Sequence, residues 1–105
     1  MKTIAQYLQD EIHYPVSKGF LENRLIARGY EANAEISPEI ISSSQFIGAI
    51  ADSLFSLIAA PNFSESDISI SLSDKNLILK HANQLYESIG EEPKNLTEPK
   101  VFIGG

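Results

Sequence analysis

The side chains able to do chemistry are few and scattered. His13 and His81 are the only imidazoles in a chain of 105 residues that has no cysteine. A metal site needs converging ligands, usually two or more from histidine, cysteine, aspartate or glutamate. His13 follows Asp10 and Glu11, which would make a weak surface site. The plainer reading is a histidine near a helix C-terminus, where the dipole favours positive charge. His81 lies beside an apolar helical stripe and reads as a boundary residue. A serine nucleophile needs a base that is itself oriented. Ser42-Ser43-Ser44 has no Gly-x-Ser-x-Gly elbow and reads as a set of competing helix caps. Glu91-Glu92 and Glu65/Asp67 are neighbouring carboxylates in exposed loops, where solvent keeps both members ionised, unlike a glycosidase pair. The closing Gly104-Gly105 has no following helix whose N-terminus could cradle a phosphate. Asp52 is the acid to watch, because it sits within the most apolar segment. It faces solvent or pairs with an arginine, or else is buried at a subunit contact. The residues alone imply no catalytic group, no metal, no cofactor and no enzymatic activity.

The elements that would position these groups are mostly helical. Thr3 with Gln6 makes a capping box for a helix over about Ile4 to Ile12, whose Ile4, Leu8 and Ile12 form one stripe. Pro15 stops it. Ser17 caps a second helix from Lys18 to Arg28, with Phe20, Leu21, Leu25 and Ile26 buried and Gly29 as the C′ residue. Tyr30 is a candidate packed anchor in the connection that follows. Ser37-Pro38 is a helix start with proline at the first position. Two registers are open there: one helix running on from Pro38, or a short turn before a helix starting near Ser43 or Ser44. The long third helix ends at Ala60. It is apolar nearly all round through Phe46, Ile47, Ile50, Leu54, Leu57 and Ile58, so either the other helices or an identical subunit must cover it. Ser73 or Asp74 caps a last helix with the stripe Ile78, Ala82, Leu85 and Ile89, ended by Gly90.

Ile68, Ile70 and Leu72 alternate with serines, which predicts a short strand or hairpin over about 66–72. Val101, Phe102 and Ile103 predict a C-terminal strand over about 100–103, beyond an exposed linker beginning near residue 91. The fold class is therefore mainly α (α+β), about four helices around a long central helix near 43–60, in a single domain spanning 1–105. Unpaired strands are edge liabilities unless something pairs them. Ile68, Ile70, Leu72, Val101, Phe102 and Ile103 are thus the candidate subunit-contact residues.

Bulk properties narrow the partners. With 43% hydrophobic and 21% charged residues the composition is that of a globular protein, and 105 residues bury a single modest core. The net charge of −6 repels phosphates, and no basic cluster interleaved with aromatics offsets it, so direct nucleic-acid binding is not expected. The Phe46–Ala60 run is too short to span a bilayer and contains Asp52, and the N-terminus lacks a signal-peptide core. These features predict a cytoplasmic protein without membrane contact.

The segments Thr3-Ile-Ala-Gln-Tyr-Leu, Ile68-Ser-Ile-Ser-Leu-Ser-Asp74-Lys75, Leu85-Tyr86 with Gly90, and Pro99-Lys-Val101 run in order through most of the chain. In wording and in order of parts they resemble small head–tail connector (neck) proteins of tailed phages and prophages, of the kind carried by gut Bacteroidetes elements. One departure is Leu72, where that group would have tryptophan. The resemblance implies two short helices, a long central helix, a strand excursion and a last helix. It also implies a non-enzymatic structural subunit of a ring, with copies of itself and with portal or tail proteins as partners, in the host cytoplasm or the virion. Two other readings stand beside it. One is a small intracellular helical adaptor, with an apolar groove beside the central helix for a protein or peptide partner. The other is an enzyme or ligand-binding domain, which would need an enclosed pocket around His81, Tyr86 and Asp52.

Overall fold

The computed structural model describes residues 2–14, 16–59 and 72–94, with residues 72 and 73 described in backbone only. Its helices are α1 (Ile4–Ile12), α2 (Lys18–Ala27), α3 (Pro38–Ile41), α4 (Ser44–Ala59) and α5 (Leu72–Ser88). The described part is mainly helical. The expected strand residues Ile68, Ile70, Val101, Phe102 and Ile103 lie outside the described residues, as does Pro15.

Local chemistry explains each start. Thr3 Oγ1 accepts from the Gln6 N–H at 3.1 Å while Gln6 Oε1 accepts from the Thr3 N–H at 2.9 Å, so the box at α1 is reciprocal. The strap 30–36 then crosses the start of α1. The Ile4 and Ala5 N–H groups, which no helical carbonyl can reach, donate to the carbonyls of Ala34 and Ala32 at 2.8 and 3.1 Å. Thr3 and Glu35 form an isolated antiparallel bridge there. α1 ends at His13, whose φ of 62° places a non-glycine residue in the left-handed region. Gln9 holds the turn by donating to the Tyr14 carbonyl at 2.6 Å.

Ser17 caps α2 through the Phe20 N–H, and Gly29, at φ 87°, follows the C-cap residue Arg28. The central region takes the split register: α3 is one turn capped by Ser37, and Ser43 accepts from the Phe46 N–H to start α4. Tyr30 is the expected anchor. Its ring meets Phe46 edge-on at 6.1 Å, and its hydroxyl pairs with Ser43 at 2.6 Å.

α4 is buried on almost every side through Phe46, Gly48, Ala49, Ile50, Ala51, Ser53, Leu54, Leu57 and Ile58. α1, α2, α3 and α5 of the same chain all pack on it. Its apolar circumference is thus largely covered by this chain's own helices.

Three sequence expectations are corrected. Leu72 is the first residue of α5, not the last of a strand, so Ser73 and Asp74 fall within the first turn and are not its cap. Leucine is a good helix former and an acid suits the positive helix start, and here these preferences win over the serine alternation. Ile26 is 67% exposed, because the buried line of α2 runs through Phe20, Leu21 and Leu25. The buried line of α5 is Ile78, Ala82 and Tyr86, with Leu85 only partly covered. A tyrosine with a polar tip therefore occupies the core position the stripe had assigned to leucine.

Candidate functional site: an arginine node and an apolar cleft

Asp52 does pair with an arginine. It projects from the middle of α4 towards the C-terminal end of α2, where Arg28 donates to both its oxygens, Nε to Oδ2 at 2.8 Å and Nη2 to Oδ1 at 3.2 Å. Tyr86, fully buried on α5, donates its hydroxyl to Asp52 Oδ1 at 2.6 Å. The other edge of the guanidinium grips Glu91, just past α5, with Nη1 to Oε2 at 2.6 Å and Nη2 to Oε1 at 3.0 Å. Nη1 also donates to Gln45 at 3.3 Å. One planar cation thus joins α2, α4 and the segment after α5 by two forked pairs, a geometry that lysine cannot reproduce.

Gly48 makes room for this. A Cβ built there would run into the guanidinium of Arg28, so the arginine occupies the space that a side chain at this position would take. Lys94 completes the assembly, with its ammonium 4.5 Å from the centre of the Tyr86 ring.

Charge states follow from the contacts. Burial pushes the Asp52 carboxyl up, but the hydrogen bonds from Arg28 and Tyr86 outweigh it and hold the group below its ordinary value. The hydrogen bond from Arg28 lowers Glu91. Burial, followed by the bond to Asp52, raises the Tyr86 phenol well above its usual range. Glu91 and Asp52 together raise Arg28. None of these groups changes protonation near neutrality, so the node acts as an electrostatic joint and not as a proton relay. Among the described residues, no buried side-chain nitrogen or oxygen lacks a hydrogen-bond partner.

A second feature lies elsewhere. The two histidines, distant in sequence, line one open cleft with Glu11, Ile12, Tyr14, Leu54, Leu77 and Ile78. Leu77 stands 65% exposed at this cleft. Among the described residues no group of three or more potential ligands could hold a metal ion. His81 lines this cleft, whereas Asp52 and Tyr86 bond to each other in the node. The pocket an enzymatic reading would need around His81, Tyr86 and Asp52 is therefore not assembled from those three. Among the described residues no helix is long and apolar enough to cross a membrane.

A model for a family of unknown function, DUF6706, matches residues 2–102. The chain belongs to this family. The match takes in every element of the DUF6706 fold described above, including the node and the cleft. No curated protein and no solved structure matches the chain.

Of the node, the sequence points to Asp52 with the kind of partner it would take, and sets Tyr86 beside it only in the enzymatic reading. In the sequence Arg28 is only the last residue of the second helix, and Glu91 part of an exposed linker. The available signal is Gly48, a glycine in the interior of a mostly apolar helix, where it costs stability relative to alanine and so points to a packing reason.

Proposed function

We propose that the chain is a non-enzymatic structural subunit whose output is contact with copies of itself and with other proteins, serving in a head–tail connector ring of a tailed phage or prophage. The observation that carries this reading is the order of helices. α1 and α2 have nine and ten residues, α4 is a long apolar helix of sixteen, and α5 closes with seventeen. Apart from the single turn of α3, that is the helix order implied by the resemblance to neck proteins. Ile26 on α2 and Leu77 on α5 add exposed apolar contact points on separate helices. The net charge of −6 suits a subunit beside a DNA conduit, since a passing duplex should not adhere. Its place is the host cytoplasm and then the virion. Recovery of the tagged chain from its native host tests this. Portal or tail proteins should copurify, and recovery without any virion protein, from cells producing particles, would contradict it.

A second reading is favoured by the cleft. Leu77 stands exposed at a cleft beside the central helix, above the buried Ile12, Leu54 and Ile78, which suits an intracellular adaptor that accepts an amphipathic helix. Recovery from the native host separates the two, because an adaptor should bring down a protein partner that is not a portal or tail component.

A further inference from the structure

The two edges of the Arg28 guanidinium hold unequal partners. Asp52 is the more enclosed carboxylate and is shared with the buried Tyr86, whereas Glu91 is more open to solvent; their side-chain exposures are 24% and 36%. Glu91 is also carried on a different kind of element. It follows Gly90, whose φ of 81° breaks the helix, and opens a short segment of irregular backbone. Three further contacts hold this segment to α5. The Glu91 N–H donates to the Tyr86 carbonyl at 2.8 Å. Asn83 grips the backbone of Lys94 from both sides, donating to its carbonyl at 2.9 Å and accepting from its N–H at 2.7 Å. The Lys94 ammonium lies over the Tyr86 ring.

We propose that Arg28 is a two-sided latch. Its Asp52 edge is a fixed joint of the helical body, and its Glu91 edge is a releasable clamp that holds Glu91–Lys94 against that body. The physical ground is the difference in screening. A solvent-facing ion pair weakens as salt shortens the reach of its charges, while an enclosed and shared pair is screened far less. Loss of the clamp leaves the Asp52–Tyr86 bond and the packing of α4 untouched, so the segment can open without the bundle unfolding. The latch therefore sets how Glu91–Lys94 lies against α5 and the end of α2. It holds whether or not the chain assembles into a ring.

Residue-resolved hydrogen exchange on the full chain tests the latch. In Glu91→Gln, the amides of residues 91 and 94 should exchange about fivefold faster or more, while those of Ala51 and Leu54 in α4 stay unchanged. About 1 M salt should speed the same two amides in the parent chain and have little further effect in Glu91→Gln. Unchanged protection at Lys94 in Glu91→Gln would overturn the latch. So would parallel acceleration of the α4 amides, which would make the clamp part of the global fold.

Discussion

Replacing Gly48 by alanine should destabilise this protein, against the usual effect of that change. In a helix interior glycine is about 1 kcal/mol worse than alanine, so Gly48→Ala ought to be a gain. Here the new methyl group meets the Arg28 guanidinium. The end of an arginine side chain could ordinarily swing aside at little cost. This one is held by five hydrogen bonds to Asp52, Glu91 and Gln45, and its side chain is only 12% exposed. Moving it sacrifices the Asp52 fork, roughly 2 kcal/mol for charge-assisted bonds in a partly enclosed site, and the Glu91 fork, below about 1 kcal/mol because that partner is solvent-facing. The net expectation is a loss of about 1–2 kcal/mol, which lowers Tm by roughly 5–15 °C in a domain of this size. In an Arg28→Met background the obstacle is gone, and the same Gly48→Ala change should stabilise by about 1 kcal/mol. Thermal or urea unfolding of the four variants closes a double-mutant cycle with a coupling of about 2–3 kcal/mol and a change of sign. If Gly48→Ala raised Tm equally in both backgrounds, the guanidinium would not be pinned, and the description of the node would be wrong.

Two further outcomes follow from the same contacts and a third from the α1 cap. Asp52 and Glu91 both lie below their ordinary values of 3.8 and 4.5 in the folded chain, so the unfolded chain binds more protons in acid; stability should be fully present above about pH 5 and decline as pH falls through those values, and Arg28→Met should flatten that decline in urea midpoints. Tyr86 is raised from 10.0, so its contribution is present below that pH and lost as pH climbs above it; Tyr86→Phe should cost about 1–2 kcal/mol at neutral pH and leave a shallower alkaline decline. Thr3→Ala removes the side-chain half of the α1 capping box and should cost about 1 kcal/mol by thermal unfolding, with Thr3→Ser restoring most of it.

The elements were legible where local chemistry decides them. Thr3 with Gln6, Ser17 and Gly29 each carry their signal within a few residues, and α1 and α2 follow from them. Apolar periodicity placed the central helix, and Ser37-Pro38 with Ser43 held both of its possible starts. What stayed hidden depends on pairing across the chain. Arg28 and Asp52 are 24 positions apart, and Arg28 and Glu91 are 63 apart. No spacing rule links them, since each is also a plausible solvated charge. Tyr86 falls outside the expected stripe of α5 because the leucine beside it satisfies that stripe equally well, and only the position of Asp52 chooses between them. Ile26 was overcounted because an apolar residue type does not say which side of α2 faces inward. At Leu72, period-two alternation and helix-forming chemistry compete in the same residues, and the helix prevails.

We propose that this chain works by contact with other copies of itself. Sedimentation velocity of the purified full-length chain, from dilute to highly concentrated samples, measures that directly. A concentration-dependent shift to a defined larger species is the predicted result. A single sedimenting species of one-chain mass at every concentration would contradict it.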